Sequence, residues 1–179
     1  MNLPNILTLA RIAATPAIVV LAATGHGFAA AILFAAAGLT DWLDGYLARR
    51  LDQTTAFGAM FDPIADKLQV GVVLALLLWL GALADWHLVP ALAILAREIL
   101  VSGLREAMAG MDTPRIPSSF AAKCKTAAQM AALTALLLAG DPAFVWATTP
   151  GLVLLWGAAA LSIWTGGAYL SQALAAIRR

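Results

Sequence analysis

Residues 28–66 read FAAAILFAAAGLTDWLDGYLARRLDQTTAFGAMFDPIAD: an apolar run, a cluster of charges, a short polar turn, and a second run that opens with charges. An oily run with its charges held to one end predicts a helix that enters hydrocarbon. The return through Asp52-Gln53-Thr54-Thr55 predicts a second helix coming back beside it. Eight positions carry the charge cluster: Asp41, Asp44, Gly45, Ala48 and Arg49, then Gly58, Asp62 and Asp66. Written out, they form D-x-x-D-G-x-x-A-R, eight residues, and G-x-x-x-D-x-x-x-D.

Outward from that stretch the chain stays oily. Of 179 residues, 62% are hydrophobic and 12% charged, against a globular norm of roughly 45–50% and about 25%. This composition predicts an integral membrane protein, all-α, with no room for a separate soluble domain, so residues 1–179 are expected to form one membrane domain. Apolar stretches at 4–23, 28–50, 59–81, 86–109, 118–139 and 150–175 are each long enough to cross the bilayer, which predicts six transmembrane helices.

Orientation follows from the basic residues. Arg49, Arg50, Lys67, Arg105, Arg115, Lys123, Lys125, Arg178 and Arg179 flank one side, and the opposite loops contain no Lys or Arg. The positive-inside rule then places both termini and the aspartate cluster in the cytoplasm. Arg11 and Arg97 lie inside apolar stretches, in the half nearer the basic side. Net charge is only +1, so the basic residues concern topology and local binding, and no nucleic-acid partner is expected. The first segment lacks a basic leader region and reads as a retained helix; the single Cys124 permits no internal disulfide. Trp79, Trp86 and Trp146 sit near the outer ends of spans, where aromatic belts form, and Trp156 and Trp164 read as packing residues.

At about 100° per residue, Asp41, Asp44, Gly45, Ala48 and Arg49 fall within an arc of roughly 140°. Gly58, Asp62 and Asp66, spaced by four, form an equally narrow stripe on the next helix. Carboxylates gathered there would repel by several kcal/mol per close pair, at an effective dielectric near ~20. A divalent cation removes that repulsion. Oxygen ligands without His or Cys favour Mg²⁺ or Mn²⁺, and four carboxylates suit two ions with positions left open for substrate phosphates. Gly45 and Ala48 leave room for a bulky ligand, and Arg49 offers a planar fork for phosphate oxygens.

The Asp41–Asp66 pattern resembles the signature of the CDP-alcohol phosphatidyltransferase family, without departure. Flanking stretches, Asn2 to Arg11, Arg97-Glu98, Ser102 to Glu106 and Lys123 to Gln129, are similar to the bacterial members that act on glycerol 3-phosphate. The resemblance implies transfer of a phosphatidyl group from CDP-diacylglycerol to an alcohol, with release of CMP, in the bacterial cytoplasmic membrane. It further implies that Asp41, Asp44, Asp62 and Asp66 hold two metal ions and that Asp66 takes the proton of the attacking hydroxyl. The nucleotide donor is then expected against Gly45, Ala48, Arg49 and Gly58, with Asn5, Thr8 and Arg11 as supplementary contacts. A phosphorylated acceptor needs its own basic site, for which Arg97, Arg105, Arg115, Lys123 and Lys125 are the candidates. Membrane lipids surround the protein, and the resemblance suggests a homodimer.

Rival acceptors within the family are serine, inositol or inositol phosphate, and phosphatidylglycerol; the basic residues favour a phosphorylated one. Outside the family the competing reading is a divalent-cation transporter. A transit path needs polar groups toward the far face, where the sequence offers only Asp85, Asp141, His26 and His87, mostly in loops.

Overall fold

The computed structural model describes residues 3–50, 56–109 and 120–177; for 3–5, 41–50, 56–59, 109 and 176–177 it describes the backbone alone. Six α-helices follow one another: α1 (Leu3–Ala23), α2 (Gly27–Arg50), α3 (Ala56–Trp79), α4 (Leu88–Ala109), α5 (Phe120–Leu138) and α6 (Thr148–Ile177). Short 3-10 segments at Asp85–His87 and Pro142–Ala147 lead into α4 and α6. Among the described residues there is no strand. The helices lie where the six apolar stretches predict them.

Among the described residues three stretches are long and apolar enough to cross a membrane by length and composition: Ile6–Ala23, Asp85–Met108 and Pro142–Ala175. In the other three helices the charges gathered near one end shorten the apolar window. The apolar part of α2 is Gly27–Thr40, before the aspartates begin. Likewise α3 opens with Asp62, Asp66 and Lys67, and α5 with Lys123 and Lys125. Charge at one end of a helix shortens its apolar window without shortening the helix.

Left-handed glycines close two of the helices. Gly25 (φ 81°) follows α1, its amide donating to the Ala22 carbonyl while His26 N donates to Leu21 O. Gly81 (φ 76°) ends α3 in the same way, with Gly81 N on Leu78 O and Ala82 N on Leu77 O. Both satisfy carbonyls that the last turn leaves open, in a conformation that costs glycine nothing.

Helix α5 packs most extensively on α6; α1 lies against α2 and α3, α2 against α5, and α6 against α4. By contrast, α3 touches α4 and α5 only lightly. The core shows a polarity gradient along the bundle. Toward the loops at residues 24–26, 80–87 and 139–147 it is wholly apolar, with Ile18, Phe34, Leu74, Leu77, Ile94, Leu133, Leu136 and Leu155 at its centre. The buried polar residues, Thr8, Arg11, Thr15, Gln69, Lys125, Gln129, Ser162 and Thr165, occupy the middle and the end that carries the aspartates. Large apolar side chains such as Val20, Ile32, Leu39, Ile99, Val153 and Ile163 point outward, as lipid contact requires.

Trp79, Trp86 and Trp146 are exposed at the end opposite the aspartates, in keeping with an interfacial belt. Trp156 and Trp164 correct the expectation of packing residues. Both are exposed, because Leu155, Ala158, Ala159 and Ser162 take the buried face of α6. Trp156 Nε1 instead donates to His87 Nδ1 at 3.2 Å.

Backbone approach is closest where α2 begins. A Cβ on Gly27 would lie 2.6 Å from both Asp141 N and Leu137 O, backbone atoms that cannot rotate away. Gly27→Ala is therefore expected to destabilise the bundle by about 1–3 kcal/mol, read as a lower melting temperature in detergent. An unchanged melting temperature would contradict this packing.

Candidate active site

Among the residues whose side chains are described, the polar end of the bundle is built from α1, α3, α4, α5 and α6. On α3, Asp62 and Asp66 stand one turn apart, both partly buried. Pro63, between them, removes one amide from the helical ladder. Asp62 is fixed from outside its own helix: buried Thr8 of α1 donates its hydroxyl to Asp62 Oδ1 at 2.5 Å. One turn further along α1, Arg11 is 2% exposed, and Thr15 Oγ1 donates to its carbonyl at 3.1 Å. Thr8 thus lies beside an α3 aspartate of the motif, and Arg11 is buried one turn further along the same helix.

Helix α2 runs unbroken through Asp41, Asp44, Gly45, Ala48 and Arg49, so the spacing that predicts one face applies to a real helix. Their side chains, and those of Asn5 and Gly58, lie outside the described residues, as does Arg115 altogether. Among the described residues no three His, Cys, Asp or Glu groups converge. Asp62 and Asp66 nevertheless fit a hard divalent cation: their donors are oxygens, they lie one turn apart, and a neutral hydroxyl rather than a competing cation holds the first.

Beyond Asp66 a cleft opens along the light seam between α3, α4 and α5, lined by Asp66, Lys67, Glu98, Lys125, Thr126 and Gln129 with Val70 and Met130. Glu98 is its central anion. Lys125 Nζ donates to Glu98 Oε1, and Arg97 Nη1 reaches the same oxygen at 3.2 Å. Arg97 extends its other arm to Thr165 Oγ1 of α6 at 3.4 Å. Gly166 makes that reach possible, since a Cβ there would lie 2.9 Å from Arg97 Cγ. These side chains are mostly buried: 14% exposed for Arg97, 17% for Glu98 and 7% for Lys125. Two cations on one carboxylate leave one positive charge unbalanced within this trio, beside a cleft whose own charged wall residues, Asp66, Lys67, Glu98 and Lys125, balance one another.

The five basic acceptor candidates therefore separate. Arg97 and Lys125 come together on Glu98. Arg105 is exposed and sits over the Tyr169 ring of α6, its Cζ 5.8 Å from the ring centre. Lys123 is exposed, two residues from Lys125 and on a different face of the helix. Glu98 as the joint between Arg97 and Lys125 is the contact that sequence alone missed; only the adjacency of Arg97 and Glu98 pointed toward it.

Thr8 provides an early test. Thr8→Val keeps the shape and removes the hydroxyl that orients Asp62. Hydrogen bonds to charged groups contribute about 1.5–3 kcal/mol, so divalent-metal affinity is expected to weaken roughly tenfold to a hundredfold. Metal titration of the variant checks this, and unchanged affinity would detach Thr8 from the site.

Among the described residues the chain is an all-helical bundle with an aspartate-bearing helix pair at its polar end. The chain belongs to the CDP-alcohol phosphatidyltransferase family, whose profile matches residues 1–164. It is 46% identical over 172 residues to a Rickettsia bellii protein named CDP-diacylglycerol--glycerol-3-phosphate 3-phosphatidyltransferase, covering 94% of this chain and 93% of that one. Its identity to the Escherichia coli K12 protein of the same name is 40% over 183 residues, covering 97% and 96%. In fold it is similar to phosphatidylinositol phosphate synthase of Mycobacterium tuberculosis, solved in complex with manganese and citrate. That similarity has a TM-score of 0.71 at 24% identity and covers 96% of this chain and 82% of that one. The same mycobacterial protein with CDP-DAG bound gives 0.67, covering 95% and 85%.

Proposed function

We propose that this chain is a membrane enzyme that transfers the phosphatidyl group of CDP-diacylglycerol to sn-glycerol 3-phosphate, giving phosphatidylglycerophosphate and CMP in phospholipid biosynthesis. The observation that carries the reading is the single cleft in which Asp66 of α3 and the Lys125–Glu98 pair of α5 and α4 are both wall residues. A proton acceptor and a cationic amine then border the same small space. Full-length relatives at 40–46% identity named for glycerol 3-phosphate support the choice of acceptor.

In this reading Asp41, Asp44, Asp62 and Asp66 would hold two Mg²⁺ or Mn²⁺ ions, which would supply charge neutralisation for the donor diphosphate and the departing cytidylate. Thr8 holds Asp62 in place, and Arg49 with Gly45, Ala48 and Gly58 seats the nucleotide. Asn5 and Arg11 of α1 give the nucleotide supplementary contacts. Asp66 receives the proton of the acceptor's primary hydroxyl as its oxygen attacks the phosphorus bearing diacylglycerol, and the bond from that phosphorus to the cytidylate oxygen breaks. Lys125 and Arg97 receive the acceptor's phosphate, drawing on charge that Glu98 only partly neutralises. Arg105, Lys123 and Arg115 draw the acceptor phosphate toward the site by their charge.

All six helices cross the membrane in this proposal, as one domain over residues 1–179, with termini and active site facing the cytoplasm of a bacterium. Support comes from Lys and Arg gathered at one end of the helices and from the apolar core at the other. That apolar core also disfavours a cation path through the bundle. Pairing of two copies belongs to the same proposal and is read by crosslinking in native membranes. CMP release by the purified protein tests the chemistry. It is expected to require both glycerol 3-phosphate and Mg²⁺ or Mn²⁺, to stop on chelation and to return on metal addition. Release that needs neither contradicts the proposal.

A further inference from the structure

Gln129 is 3% exposed, and its side-chain carbonyl oxygen has no hydrogen-bond partner among the described residues, although it borders the cleft. A buried acceptor left unsatisfied is costly, and a helix packed elsewhere with Ala and Leu could place an apolar residue there at no loss. The position is informative. Gln129 lies four residues after Lys125, hence on the same face of α5, one turn nearer the apolar core, and Asp66 borders the same cleft from α3.

We infer that Gln129 is a specificity-determining residue whose side-chain carbonyl accepts a hydrogen bond from the secondary hydroxyl of the acceptor. This rests on the transfer to glycerol 3-phosphate proposed above. Such an acceptor offers three polar points: the primary hydroxyl that attacks, a phosphate, and one hydroxyl that does not react. Asp66 takes the first and Lys125 with Arg97 the second. The third is a hydrogen-bond donor with no other assigned receiver, and Gln129 is a buried acceptor on the wall that already holds Lys125. A site built to bond a hydroxyl rejects the analogue that lacks it, because the buried group is then left unpaired. Gln129 thereby selects phosphorylated polyols with a free hydroxyl beside the reacting carbon over simple phosphorylated alcohols.

The test compares glycerol 3-phosphate with propane-1,3-diol monophosphate, which keeps the reacting hydroxyl and the phosphate and lacks the secondary hydroxyl. With the parent protein, kcat/KM is expected to favour glycerol 3-phosphate by about tenfold or more. In Gln129→Met, of similar length and without the acceptor, the ratio is expected to fall to near one while the KM for CDP-diacylglycerol stays unchanged. A merely structural glutamine would lower both rates together and leave the ratio intact, which would overturn the inference. Should Gln129→Met not fold, Gln129→Leu replaces it, and a parent ratio near one overturns the inference without any variant. A parent that converts neither compound removes the proposed acceptor and this inference with it; conversion of both at equal efficiency removes the inference alone.

Discussion

Asp66→Asn is expected to lower kcat by about two to four orders of magnitude, the range lost when a positioned proton acceptor is removed. Asn has nearly the same shape, so the bundle should remain folded while the site loses a charge and a base. Asp62→Asn is expected to fall as far for a different reason. Its amide oxygen can still accept from the Thr8 hydroxyl, so the tie between α1 and α3 survives, but an anionic oxygen ligand is gone. Both variants lose an anionic metal ligand and require more Mn²⁺, but saturating Mn²⁺ is expected to recover turnover further in Asp62→Asn than in Asp66→Asn, which has also lost the base. Turnover within tenfold of the parent for either variant, in protein with an unchanged melting temperature, would contradict the roles given to α3.

The second large effect divides the two substrates. Lys125→Ala is expected to raise the KM for glycerol 3-phosphate roughly tenfold to a hundredfold, since a charge-assisted contact contributes about 1.5–3 kcal/mol. The KM for CDP-diacylglycerol should change little. Arg49→Ala is expected to show the reverse bias, because it shares its helix with Asp41 and Asp44. Arg105→Ala should move the acceptor KM less than Lys125→Ala, given that Arg105 rests over Tyr169 whereas Lys125 borders the cleft. Steady-state kinetics varying each substrate in turn reads the division, and equal effects on both substrates from Lys125→Ala and Arg49→Ala would reject it.

Helix positions were legible in the sequence because hydrocarbon imposes a length, and breakers such as Gly25 and Gly81 mark the ends with a conformation few other residues adopt. The four-residue spacing of Asp62 and Asp66 was legible for the same reason: periodicity within one helix is a local property. Contacts between helices were not. Thr8 and Asp62 are 54 residues apart, and Glu98 and Lys125 are separated by 27. Nothing in either local pattern states which helix will be the neighbour. Arg105 and Lys125 look alike as basic residues near helix ends, yet one stacks on an aromatic ring and the other is buried against a carboxylate. Buried charge follows from packing, which a single helix does not encode.

The identity of the acceptor is tested most directly by competition. Purified protein in lipid vesicles would receive CDP-diacylglycerol and metal with glycerol 3-phosphate, inositol phosphate, serine and phosphatidylglycerol at equal concentration, and the lipid product would be identified by mass spectrometry. Phosphatidylglycerophosphate, formed in step with CMP, is the expected product. A predominant product carrying inositol phosphate, serine or a second phosphatidylglycerol would contradict the assignment of the cleft beside Lys125 to glycerol 3-phosphate.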